Sequence, residues 1–113
     1  MKALIIMLVA ATTASAAPLP EAEVNRLADC IYRAEGGRKA RAPYGILSVK
    51  VANEAAARRV CINTIRNNWR RWEAAGRHGL YVNFLADKYC PPSVDPVGNK
   101  NWKKNVGKMW GMK

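Results

Sequence analysis

Between Asn53 and Gly76 the apolar positions Ala57, Cys61, Ile65, Trp69 and Trp72 recur every three to four residues, with arginines at Arg58, Arg59, Arg66 and Arg70 between them. That period belongs to an α-helix with one buried face. Asn53 is placed to cap the first turn and Gly76 to stop the last, so the predicted helix runs from Glu54 to about Ala75. A long helix that packs on one side only needs other elements to cover that side.

The rest of the chain supplies them. A first helix is predicted from Glu21 to Ala34, behind Pro18 and Pro20, with Glu21 and Glu23 well placed against the dipole of its first turn. Tyr44 to Val51 alternates, with Leu47, Val49 and Val51 on one side, which predicts a short strand or extended wall. A third helix is predicted from Leu80 to Tyr89, stopped by Pro91-Pro92. A loop containing Asp95-Pro96 and Gly98 then leads to a last helix from about Asn101 to Trp110, where Trp102, Val106, Met109 and Trp110 share a face. The expected fold is mainly α: about four helices around a cleft, with one short extended or β segment, in the manner of small α+β domains.

Residues 1–16 combine Lys2, the apolar run Ala3 to Ala11 and the small residues Ala14-Ser15-Ala16, with Ala17 following. They read as a secretory signal peptide, too short for a membrane span. The expectation is a secreted or periplasmic chain whose single domain covers 17–113. Loss of Lys2 takes the net charge from +11 to +10, which favours an anionic partner. An odd set of cysteines, Cys30, Cys61 and Cys90, in an oxidising compartment implies one disulfide and one leftover thiol. Cys61 with Cys90 is the favoured pair, since a bridge there would fix the loop after Pro91-Pro92. Metal-ligand spacing is absent, no cofactor is implied, and the one histidine, His78, lies in a Gly-flanked turn with no cue tying it to a thiol.

Glu35 is the residue that points to chemistry. The apolar stripe Val24, Leu27, Ala28 and Ile31 continues onto it one turn later, so the carboxylate is expected to point inward. Gly36-Gly37 ends the helix behind it. Partial burial and the negative end of the helix dipole both favour the protonated form, which suits a general acid. The alternative is a surface glutamate paired with Arg33, Arg38 or Lys39. Asn63, Asn67 and Asn68 oppose helix propensity in the long helix, so at least one is expected to bond a loop or a substrate. Asn63, Asn67 and Tyr89 are taken as substrate-binding candidates.

Glu35-Gly36-Gly37 followed by Tyr44-Gly45-Ile46 resembles the Glu-Gly-Gly and Tyr-Gly-Ile elements of certain phage and bacterial muramidases in the lysozyme superfamily. The same stretch, read on through Leu47-Ser48-Val49, is similar to the Glu-Ser-Gly and Gly-Leu-Met-Gln elements of soluble lytic transglycosylases. The resemblance covers about Ile31 to Val49. It implies a peptidoglycan-cleaving glycosidase in which Glu35 protonates the oxygen between N-acetylmuramic acid and N-acetylglucosamine, with Tyr44 and Ser48 lining the cleft. Ser48 stands where the transglycosylase pattern has glutamine.

A hydrolase needs a second carboxylate at a set separation, and Glu54, Glu73, Asp87 and Asp95 lie in no partner motif. A lytic transglycosylase needs one, which tilts the expectation toward that branch. The expected partner is peptidoglycan or another anionic wall polymer, with no specific nucleic acid, and the chain is expected to be monomeric. The competing reading is a non-catalytic cationic wall-binding or inhibitor protein. A third is nucleic-acid binding through the arginine-rich helix with Trp69 and Trp72.

Overall fold

A computed structural model describes residues 17–37, Tyr44 and 53–111. Four helices account for most of them: α1 (Glu21–Ala34), α2 (Glu54–Ala74), α3 (Tyr81–Tyr89) and α4 (Pro96–Trp110). α1 packs on α2 and α4, and α3 packs on the same two, while the pairs α1/α3 and α2/α4 make no close backbone approach. The helices therefore form a closed ring of four, each touching its two neighbours around a shared core. Among the described residues there is no strand. The segment expected to be extended lies outside them, apart from Tyr44.

Local signals explain the boundaries. Asn53 caps α2 as expected, its side-chain oxygen accepting from the Ala56 N–H at 2.9 Å. α1 occupies the predicted span, and Gly36 and Gly37 take φ of 99° and 60°, a region where a side chain would be strained. α4 begins earlier than the sequence reading placed it. Asp95 accepts from the Gly98 N–H at 2.8 Å and Pro96 sits at the first helical position, so Asp95-Pro96 opens a helix and does not belong to a loop. Glycine at 98 leaves room for the cap, because a Cβ there would crowd the Asp95 carboxylate and the Cys90 sulfur and force the capping side chain to shift.

The core is built from the stripes the sequence predicts: Val24, Leu27, Ala28 and Ile31 of α1 against Ala57, Cys61 and Ile65 of α2, closed by Leu85 of α3 and Val106 of α4. At one end an aromatic cluster joins three helices. Tyr81 lies edge-on to Trp69 at 4.8 Å and to Trp110 at 6.1 Å, and its hydroxyl donates to the Ile65 carbonyl at 2.5 Å. The indole N–H of Trp110 is buried with no partner among the described residues.

Arg58 clasps α1 to α2. It donates to Asp29 Oδ1 at 2.8 Å, to the Tyr44 hydroxyl at 3.2 Å, and to the backbone and side-chain oxygens of Asn25 at 3.3 and 3.2 Å. Asp29 is itself 59% exposed, so the ion pair alone contributes little, and most of the effect rests on the hydrogen bonds. Arg58→Gln is expected to lower stability by about 1–2 kcal/mol, read from urea unfolding. An unchanged midpoint would show that water replaces the clasp at no cost.

Candidate functional site

Glu35 is the C-cap of α1, its N–H donating to the Ile31 carbonyl at 2.9 Å. Its side chain turns inward and meets α4: the Trp102 indole N–H donates to Oε2 at 3.1 Å. Burial raises the carboxyl pKa above its usual value, and the Trp102 hydrogen bond opposes this with a smaller effect. Among the described residues no arginine or lysine pairs with it.

The contrast with the other acids is informative. The chain has eight, all within the described residues. Glu21, Glu23, Asp29, Glu73 and Asp87 form ion pairs with Arg66, Arg26, Arg58, Arg77 and Lys103. Asp95 caps α4. Glu54, weighed above as a second carboxylate, opens α2 and accepts from the Tyr32 hydroxyl at 3.0 Å. Glu35 alone is held by a neutral indole, and no like charge contributes to its shift.

Around it the ring closes with Tyr89 and Cys61. Tyr89 stacks on Trp102 at 5.3 Å with planes 20° apart, and its hydroxyl donates to Cys61 Sγ at 3.2 Å. Burial pushes the Cys61 thiol up to about 11 and raises the Tyr89 hydroxyl as well, with the Glu35 charge adding to both. Each helix thus contributes one member of the cluster: Glu35 from the end of α1, Cys61 from α2, Tyr89 from α3 and Trp102 from α4.

Other expected site residues fall elsewhere. Tyr44 is buried at the seam of α1 and α2, its ring 5.0 Å from Tyr32 and its hydroxyl on Arg58. Ser48 lies outside the described residues. Asn63 and Asn67 are exposed on the side of α2 opposite Cys61, because two and six residues from Cys61 correspond to about 200° and 240° of helix rotation. They do not join Glu35. Asn68 is the buried asparagine, and it donates to the Thr64 carbonyl of its own helix at 2.8 Å.

The expected Cys61–Cys90 bridge is not formed, and all three cysteines are free. Cys61 faces the core and contacts Tyr89, while Cys90 lies past the end of α3 beside Asp95. Brief labelling with a thiol reagent at pH 8 should modify Cys90 in the folded protein and spare Cys30 and Cys61, which are 7% and 0% exposed. Recovery of a Cys61–Cys90 peptide without reduction would reverse that assignment.

Trp102 is the residue that sequence reasoning missed as a site member. It reads locally as one more apolar position of α4, and it meets Glu35 across 67 residues of chain. Comparison with protein-family models, with curated proteins and with solved structures returned no match.

Proposed function

We propose that the protein is a peptidoglycan-cleaving glycosidase in which Glu35 is the general acid, acting as a lytic transglycosylase. The observation that carries this reading is the state of Glu35: half-buried, free of any cation among the described residues, and fixed by one neutral donor on Oε2. A carboxyl in that setting keeps its proton at higher pH than a free glutamate. Since Trp102 occupies Oε2, Oε1 carries the transferable proton.

The chemistry follows from a single carboxylate. Glu35 gives its proton to the glycosidic oxygen as the bond from C1 of N-acetylmuramic acid breaks, releasing the next sugar as an alcohol. The 6-hydroxyl of the same muramic acid attacks C1 and returns its proton to the Glu35 carboxylate. A 1,6-anhydro ring forms, no water is consumed, and the acid is restored. Of the other seven acids, five are ion-paired and Asp95 caps a helix, which leaves Glu54, on the Tyr32 hydroxyl, as the one candidate for the second carboxylate that a hydrolase pair needs at about 5–10 Å.

Mass spectrometry of products released from purified peptidoglycan tests the reading. Anhydromuramic ends support it, reducing ends would convert it to a muramidase, and no products from a folded protein would leave a wall-binding role. The pH profile adds a second check. Activity needs the protonated acid, so it falls as pH rises through the Glu35 pKa. The indole bond favours the carboxylate, so Trp102→Phe should raise that pKa and move the alkaline limb of kcat/KM to higher pH. A limb that stays in place would mean that another group carries the proton.

A further inference from the structure

We propose that the outward face of α2 is a second, non-catalytic binding surface for a carboxylate-bearing polysaccharide, independent of Glu35. Arg59, Asn63, Arg66 and Arg70 are separated by four, three and four residues, which places all of them on one strip of the helix, with Asn67 at its edge. The strip from Arg59 to Arg70 is about 16 Å long. Its direction is opposite to Cys61 and Ile65, which face the core. Of Arg58, Arg59, Arg66 and Arg70, three lie on this strip. In the structure only Arg58 departs, to clasp α1.

The residues on this strip do little for the fold. Arg59 and Arg70 have no carboxylate partner among the described residues, and Asn63 makes no hydrogen bond there. Asn67 accepts only from Arg70 of the next turn. Arg66 meets Glu21 at 3.3 Å, where the Glu21 side chain is 74% exposed, a weak pairing that a ligand anion can displace. Two exposed asparagines cost the helix propensity without tertiary return. Their amides offer both a donor and an acceptor, as sugar hydroxyl and acetamido groups require.

The strip runs into a cavity of about 270 Å³. Pro18 and Leu19 line one part of it, and Arg66, Trp69, Arg70 and Glu73 another, the Glu73 carboxylate being engaged by Arg77. An indole wall beside two guanidinium groups fits a sugar ring that carries a carboxylate: the apolar ring face packs on Trp69 and the forked guanidinium takes both carboxylate oxygens. Nucleic acid fits less well. Single strands are held by rings that stack successive bases, whereas Trp72 and Tyr81, the neighbours of Trp69 at 4.9 and 4.8 Å, are 8% and 0% exposed. One half-buried ring cannot form such a platform.

The test uses a galacturonic acid oligomer as probe, titrated at fixed salt into the Glu35→Gln protein, so that cleavage plays no part. Arg59→Gln with Arg70→Gln should weaken binding about tenfold or more. Lys104→Gln with Lys108→Gln removes the same charge from α4, which makes no close backbone approach to α2, and should weaken binding less than about twofold. Equal losses in the two pairs would show that net charge alone does the binding and would overturn the proposal. Tighter binding of a single-stranded DNA of equal charge, lost in the arginine pair, would also overturn it and assign the face to nucleic acid. All four substituted positions are exposed, and unchanged thermal melting confirms that each variant is folded.

Discussion

Glu35→Gln should lower the release of fragments from peptidoglycan by about 10²- to 10⁴-fold, the usual contribution of a positioned general acid. Glutamine keeps the side-chain shape and still presents an oxygen to the Trp102 N–H, so the cluster of Trp102, Tyr89 and Cys61 stays packed. Only the transferable proton is gone. Stability should not fall with activity. The folded pKa of Glu35 is raised by burial, so its contribution to stability is fully present below the pKa of an unfolded glutamate and is lost as pH rises through the folded value. A neutral glutamine escapes that loss, and the variant should melt at or above the parent temperature at pH 7. Retained cleavage in a variant that melts normally would remove Glu35 from the mechanism.

Tyr81→Ala should have the largest effect on the fold. The ring is fully buried, contacts Trp69, Trp72 and Trp110 at 4.8, 5.5 and 6.1 Å, and joins α2, α3 and α4 at one end of the ring of helices. Its hydroxyl also satisfies a hydrogen bond to the Ile65 carbonyl. Truncation leaves a cavity among three tryptophans and should cost about 3–5 kcal/mol, a large share of the roughly 5–15 kcal/mol that a domain has in total. Urea unfolding should shift to a far lower midpoint or lose its native baseline. Tyr81→Phe removes only the hydroxyl and should cost about 1 kcal/mol. Equal losses in both variants would place the energy in the hydrogen bond and not in the packing.

The helices were readable because periodicity and caps agree with the packing that covers them. Val24, Leu27, Ala28 and Ile31 put α1 in its observed span and aim Glu35 inward, and Asn53 marks the start of α2. The start of α4 was readable too, in Asp95-Pro96, but a proline after an aspartate also signals a turn, and the competing signal was followed. The asparagines went astray for a geometric reason. Fixing the core stripe at Ala57, Cys61 and Ile65 already sends Asn63 and Asn67 to the far side, a consequence that propensity arguments do not contain. Trp102 could not be found from local pattern. An indole on the apolar face of one helix looks the same whether its N–H meets a carboxylate or, like that of Trp110, meets no partner among the described residues.

The closure of α4 onto α1 has a consequence in time. Translation delivers Glu35 first and Trp102 only 67 residues later. A growing chain that has formed α1, α2 and α3 holds Glu35 without the indole that orients it and Tyr89 without the ring it stacks on. The surroundings of Glu35 are therefore completed only by the arrival of α4, and a polypeptide interrupted before that helix carries Glu35 without its indole partner.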